Sequence, residues 1–466
     1  MTAVLDREAS PAARPLAAVL AAVGVPTFMV TLDNLVVTTA LPVIKTELDA
    51  SLTDLQWFVN AYTLPFAAFL LTAAALGDRI GRRRMFVAGI VLFTLASAAA
   101  ALASEPWMLT AARAVQGLAG AAVAPLALTL LIQVAPADKR NVAVGVWGGI
   151  SGLGVAVGPV VGGAVVEGLH WSWIFWLNVP VGVMAVLLTT TVLRESRSGA
   201  RRLDPLGLLL SAAGMLSLVW GIVDGPDRGW TSGRVLGLLG AGIVLVGAFL
   251  LWQRRTPTPM LPLTLFRSRG FALATVVTLT FSAGTFGAIF LLSQFFQVVQ
   301  GFSPLTAGIR TLPWTMAPMV VAPVAGIFAD RVGVRNLIVA GQALLAAGVL
   351  WIALAVTTTV SYDDFVVAFV LAGVGMGLTF APISTMALGS VPAERSGVAS
   401  GTNNTMRELG VAVGVAVLAS VFSENGGYDS PQAFVDGLAP AVTVGAAIIA
   451  VGVLVGARLP RHPTHR

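Results

Sequence analysis

The sequence predicts an all-α integral membrane protein of fourteen transmembrane helices, two six-helix bundles with a two-helix insertion between them. Three observations predict it. Hydrophobic residues make up 56% of the 466 and charged residues 11%, with a mean hydropathy of +0.87, too apolar for a solvated surface. A bilayer core of about 30 Å takes about 20 apolar residues of helix. Fourteen such runs can be marked, at 16–43, 51–77, 85–104, 107–135, 140–166, 173–193, 204–223, 234–252, 271–299, 304–329, 336–358, 364–391, 396–423 and 434–457. Finally, an Asp-Arg-x-Gly string recurs in corresponding loops, at Asp78-Arg79-Ile80-Gly81 and Asp330-Arg331-Val332-Gly333, the mark of an internal repeat.

A net charge of +6 could point to nucleic acid, but the placement of the charges argues otherwise. All Lys and Arg except Lys45, Arg113, Arg228, Arg234, Arg310 and Arg407 lie at the chain ends or in alternate loops. Glu47, Asp49, Asp54, Asp227, Asp363, Asp364 and Asp429 collect in the opposite loops. That asymmetry places both termini in the cytoplasm and makes the lipid bilayer, not nucleic acid, the partner. The absence of cysteine removes disulfide and thiol chemistry. Arg7 and Arg14 precede an apolar run too long for a signal peptide, so that run is read as a retained first helix. Charged linkers divide the chain into a first bundle (1–203), the insertion (204–252), a cytoplasmic linker (253–270) and a second bundle (271–466).

In chain order, the first run contains Asp33. An ionisable residue inside a span is costly and marks function by default. Pro42 is nine residues further on, about 13 Å of helix, which puts Asp33 too deep for an interfacial acid. In the second run Gln56, Asn60 and Thr63 share a face beside Trp57 and Tyr62, which fits either a cavity or a hydrogen bond between helices. Leu76 to Arg84 reads as a tight basic cytoplasmic turn. The fourth run sets Arg113, Gln116, Gly117 and Gly120 at i, i+3, i+4 and i+7. Arg113 has no carboxylate nearby in sequence, so its partner must come from another helix, and Asp33 is the obvious candidate.

The fifth run is glycine-rich, with Gly145, Gly149 and Gly152 along one stripe and Gly154, Gly158 and Gly162 along another. Small residues at that spacing let helices approach closely, here on both flanks, and Pro159 bends the helix. Trp171, Trp173, Phe175 and Trp176, followed by Asn178 and Pro180, read as an aromatic belt at an interface. In the ninth run Phe286, Phe290, Gln294 and Gln297 form a stripe suited to a large apolar ligand, or to plain helix packing with two interhelical hydrogen bonds. Arg310, early in the tenth, either faces the cavity or snorkels outward. The thirteenth run carries Asn404, Arg407 and Glu408. Arg407 and Glu408 are adjacent, hence about 100° apart on the helix, and are expected to answer other groups rather than each other.

Several of these strings, in order, resemble the signatures of the major facilitator superfamily and its fourteen-helix drug:proton antiporter branch. They are Asp33 through Pro42, the Gly77-Asp78-Arg79-x-Gly81-Arg82 loop, Arg113-xx-Gln116-Gly117, Gly154-xxx-Gly158-Pro159-xx-Gly162-Gly163, Trp171 through Pro180, and Gly397 through Gly410. Ala74 stands where the loop pattern usually opens with Gly. The resemblance implies the major facilitator fold and proton coupling through Arg113; His170, His462 and His465 fall in loops or at the terminus, which leaves Asp33, and after it Glu408, as the titratable group that carries the proton. It also implies a conformational switch built from Asp78, Arg79, Gly81 and Arg82, from Gly154, Gly158, Pro159 and Gly162, and from Asp330 and Arg331. The substrate cavity is expected to take Gln56, Asn60, Tyr62, Phe286, Phe290, Gln294, Gln297, Arg310, Asn404 and Arg407.

The expected activity is proton-coupled export of amphipathic, drug-like or antibiotic molecules by a monomer in the plasma membrane, with no enzymatic chemistry, cofactor or metal. The alternatives are the same fold exporting a native metabolite, peptide or lipid, or an uncoupled channel or scaffold. An ATP-driven pump is excluded for this chain, because its only lysines, Lys45 and Lys139, are not in a Gly-Lys-Ser/Thr setting.

Overall fold

A computed structural model describes residues 15–50, 52–136, 139–197, 204–257, 259, 261–392 and 395–461. Arg7, Arg14, Arg201 and Arg202 lie outside the described residues, as do the side chains of Gln56, Arg140 and Asp330.

Among the described residues fifteen α-helices follow in order: α1 (Leu16–Glu47), α2 (Leu52–Ile80), α3 (Arg82–Ala101), α4 (Pro106–Val134), α5 (Arg140–Gly168), α6 (Trp173–Trp176), α7 (Asn178–Val192), α8 (Pro205–Arg228), α9 (Gly233–Arg255), α10 (Arg269–Val298), α11 (Pro304–Val332), α12 (Val334–Ala355), α13 (Tyr362–Gly389), α14 (Ser396–Asn425) and α15 (Pro431–Gly456). Among the described residues thirteen spans are long and apolar enough to cross a membrane, α6 and α7 together making one. The fourteenth is α2, bent by 51° between Trp57–Leu70 and Thr72–Ile80. Caps start several helices where the sequence supplies them. Ser303 and Ser430 accept from the backbone N–H groups of Thr306 and Ala433, with Pro304 and Pro431 at the first helical position.

The turns of the repeated Asp-Arg-x-Gly string are shorter than expected. Asp78 and Arg79 belong to the last turn of α2, and Gly81 alone joins α2 to α3, as Gly333 alone joins α11 to α12. Both glycines have positive φ, 124° and 88°, where a side chain would cost about 1–2 kcal/mol. The single-residue reversal therefore explains why the string ends in glycine. Asp78 Oδ1 accepts from Arg82 Nε at 2.6 Å. The carboxylate of Glu195 accepts from the backbone N–H groups of Arg83 and Arg84, both at 3.1 Å, closing the N-terminus of α3.

Helices α1 to α7 pack around two buried clusters. One contains Phe86, Phe93, Leu126 and Trp147; the other contains Phe58, Leu109, Trp171 and Phe175. Helices α10 to α15 share a cluster of interlocked rings, among them Phe295, Phe296, Phe365, Phe369 and Phe434. The two groups of helices meet where α5 lies on α11 and where α2 and α4 lie on α14. Helix α8 covers the α2–α14 seam through Trp57, Leu64, Val219, Trp220 and Ala412. Helix α9 packs on α8 and leaves Leu236, Ile243, Val244 and Leu251 outward, as a lipid-facing helix would.

The glycine stripes of α5 do two different jobs, which corrects the expectation that both flanks pack closely. A Cβ placed on Gly154, Gly158 or Gly162 would press on Thr31, Leu35 or Val36 of α1, so this flank lets α1 and α5 touch. Around Gly145, Gly148, Gly149 and Gly152 there is open space.

Candidate functional site

Asp33 sits at the meeting point of four helices and is 1% exposed; Arg113 beside it is fully buried. Arg113 NH1 donates to Asp33 Oδ2 at 2.5 Å and to Gln116 Oε1 at 2.9 Å. The other carboxylate oxygen accepts from Asn178 Nδ2 at 2.7 Å and from Gln116 Nε2 at 3.2 Å. Ser97 of α3 closes the cluster, accepting from Gln116 Nε2 at 2.8 Å and Asn178 Nδ2 at 3.3 Å. Every atom turned toward the carboxylate is a donor, as a buried anion requires.

The spacing of the fourth-run motif follows from this geometry. Arg113 and Gln116, one turn apart, reach the same carboxylate, while Gly117 and Gly120 face α2. A Cβ on Gly117 would strike the backbone carbonyl of Tyr62, and one on Gly120 would meet the Phe66 ring at 3.0 Å. Glycine at these positions brings α4 onto α2, so that Arg113 donates from Nε to the Phe58 carbonyl at 3.0 Å. Its guanidinium also lies 4.4 Å from the centroid of the Tyr62 ring. Among the described residues Arg113 NH2 is buried without an acceptor, leaving the cluster two N–H donors in excess.

On the other side of Tyr62 opens a cavity of about 260 Å³ between the two groups of helices. Thr31, Asn34 and Thr38 of α1, Trp147 and the open glycines 148, 149 and 152 of α5, and Thr311 and Pro318 of α11 line it. Opposite stand Phe286, Phe290 and Gln297 of α10, Phe380 of α13, and Asn404, Arg407 and Glu408 of α14. The walls are mostly apolar with a few convergent polar groups, the character of a small-molecule site.

Of the residues expected to line the cavity, Tyr62, Phe286, Phe290, Gln297, Asn404 and Arg407 do, and Asn60, Gln294 and Arg310 do not. Relative to Phe286, a 100° step per residue carries Gln294 about 80° away and returns Gln297 to within about 20°. Gln294 instead accepts from the Tyr428 hydroxyl at 2.7 Å. The cavity face of α2 is Val59, Tyr62, Thr63 and Phe66, one helical step away from Asn60. Arg310 lies over the rings of Phe302 (3.7 Å) and Tyr362 (4.8 Å), near the N-terminal end of α11.

Asp33 and Arg113 do not line the cavity, because Tyr62 and its neighbours screen them from it. Arg407 and Glu408 do pair, with Nε and NH2 of the arginine 3.1 and 3.0 Å from Glu408 Oε1. The 100° between adjacent Cβ directions is bridged by the long arginine stem, which curls around the helix to the carboxylate.

Asn178 and Ser97 were missed as site residues. Ser97 is hidden in an alanine-rich run. Asn178 carried a usable signal: it opens a helix in mid-span, beside Pro180, where a lone amide needs a partner.

The model of the Major Facilitator Superfamily matches residues 24–415. The chain is 38% identical over 406 residues to the multidrug resistance protein Stp of Mycobacterium tuberculosis, covering 87% of this chain and 75% of that one. It is 35% identical over 425 residues to the tetracenomycin C resistance and export protein of Streptomyces glaucescens, covering 91% and 79%. Among solved structures, the human organic anion transporter TETRAN superposes with a TM-score of 0.64 at 15% identity, covering 95% of this chain and 98% of that one. At that identity the likeness speaks for the fold.

Proposed function

From the premise that the chain belongs to the major facilitator superfamily, we propose that it exports amphipathic, drug-like molecules from the cell in exchange for protons. The observation that carries this reading is the pairing of an apolar cavity with a fully buried Asp33–Arg113 ion pair, the two separated by one aromatic ring. The relatives named for multidrug resistance and for tetracenomycin C export support the substrate class.

The cavity holds the substrate through Phe286, Phe290 and Phe380, while Gln297, Asn404 and the Arg407–Glu408 pair meet its polar groups. Asp33 carries the proton. Protonation neutralises the carboxylate and leaves Arg113 buried without its counter-charge. Breaking a buried pair from one side costs about 3–5 kcal/mol, enough to bias a two-state equilibrium by about two to four powers of ten. The bias reaches the cavity through Tyr62, whose ring lies on the guanidinium.

The two six-helix bundles rock against each other about the α5–α11 and α2–α14 seams, with the inserted pair α8–α9 riding on the second. The single-residue turns at Gly81 and Gly333 keep each loop helix pair rigid during that motion. The arginine-rich loops, and with them both termini, face the cytoplasm.

Proteoliposomes loaded with an amphipathic fluorescent dye and given a pH step test the reading. Dye flux should follow the imposed gradient and stop with a protonophore. Flux indifferent to both would remove proton exchange and leave a passive pathway.

A further inference from the structure

We propose that Asn178 is a positioning residue of the proton site, and that its carboxamide accepts the hydrogen bond of Asp33 when Asp33 is neutral. The inference rests on the proton-exchange reading above and deepens it.

The donors and acceptors around Asp33 decide where its proton can point. In the charged state Asp33 accepts from Arg113, Gln116 and Asn178. When a proton binds Oδ1, the new O–H must find an acceptor, because an orphaned donor at this depth is expensive. Arg113 offers none. Gln116 is held at both ends: its Oε1 accepts from Arg113 at 2.9 Å and its Nε2 donates to Ser97 at 2.8 Å. Turning that amide over would set its NH2 against the guanidinium. The Ser97 hydroxyl donates to the Phe93 carbonyl at 2.8 Å and already accepts from both amides.

Among the described residues Asn178 makes its side-chain hydrogen bonds through its nitrogen. Among the described residues no donor is placed on its Oδ1. Half a turn about Cβ–Cγ exchanges Nδ2 and Oδ1, putting an acceptor 2.7 Å from Asp33 Oδ1 where a donor stood. No bond in the protein breaks except the two hydrogen bonds of that NH2, to Asp33 and to Ser97. The turn reports the proton to α7 at its first residue, directly after α6, whose Ile174 and Phe175 are buried in the apolar cluster with Val36, Val37 and Phe58. Protonation of Asp33 is thus read on two sides, through Tyr62 toward the cavity and through Asn178 toward α6 and α7.

Among the described residues, the charged and titratable groups around this cluster are Asp33 on α1, Arg113 on α4 and Tyr62 on α2, with Arg407 and Glu408 of α14 on the cavity side of that ring. Helices α3 and α7 contribute Ser97 and Asn178.

Asn178→Leu removes a charge-assisted bond from the carboxylate and a weaker neutral bond from the acid. The pH midpoint of transport should therefore rise by about one unit. Asn178→Asp sets a second carboxyl against the first and should raise it further. Asn178→Ser, which keeps a donor and an acceptor, should stay closer to wild type than Asn178→Leu. The midpoints are read from dye flux in proteoliposomes. Should a variant not transport, they are read from infrared titration of the protonated-carboxyl band that Asp33→Asn abolishes.

The ordered rise from wild type through Asn178→Leu to Asn178→Asp supports the assignment. Folded variants with the wild-type midpoint, whatever their rate, overturn it and leave Asn178 a packing residue. If wild-type flux does not respond to a pH gradient, the proton-exchange reading fails instead.

Discussion

Gly158 is the point where a single methyl group should separate packing from chemistry. A Cβ added there would lie 2.7 Å from Leu35 Cβ and 3.6 Å from the Leu32 carbonyl oxygen. Carbon atoms prefer about 3.5–4.0 Å, so α1 and α5 must part by about 1 Å at their crossing. Overpacking of this kind costs about 1–3 kcal/mol. Leu32 and Leu35 flank Asp33, whose hydrogen bonds span 2.5 to 3.2 Å, so the same shift disturbs the proposed proton site. A displacement of about 1 Å at a reacting group can slow a step by about 100-fold.

Gly158→Ala is therefore expected to lower the unfolding temperature in detergent and to slow gradient-driven dye flux by about 10- to 100-fold. Gly145→Ala on the same helix is the control. Nothing lies within 4 Å of a Cβ there, and replacing a helical glycine gains about 0.5–1 kcal/mol. A Gly158→Ala protein with wild-type stability and flux, or equal damage from Gly145→Ala, would refute the argument.

Further outcomes follow from the geometry around Tyr62 and from the placement of the charges. Tyr62→Phe keeps the ring on Arg113 and should transport nearly as wild type, since the hydroxyl makes only a 3.5 Å contact with the Val30 carbonyl. Tyr62→Ala opens the ion pair to the cavity and should leak protons without substrate, measured with a pH dye in empty liposomes. Reporter fusions after Arg84 and Arg255 should lie in the cytoplasm, and one after Gly229 outside.

The spans and the Asp33–Arg113 pairing were legible because lipid makes the rules strict. A helix must be long and apolar to cross, and a buried charge must find its opposite. Asp33 and Arg113 were each the lone charge of a deep segment, which left little choice of partner. What was not legible depends on how helices approach each other. The screening of Asp33 from the cavity comes from α4 seating on Tyr62 at Gly117, a contact between residues 55 apart in sequence (117 against 62). Arg407 and Glu408 were misjudged because helical angles describe Cβ directions and ignore the reach of arginine. Gln294 was misassigned because a stripe drifts over two turns. Asn178 was overlooked because a run of tryptophans invites an interfacial reading and draws attention from the amide that follows.

The account depends most on proton binding at Asp33, and Asp33→Asn tests that directly. Asparagine keeps the size and one acceptor for Arg113 but cannot titrate. In proteoliposomes the Asp33→Asn protein should still bind dye and exchange labelled for unlabelled dye across the membrane, while net flux driven by a pH step disappears. Full gradient-driven flux in Asp33→Asn would contradict the claim and move the proton to Glu408, the acid that lines the cavity itself.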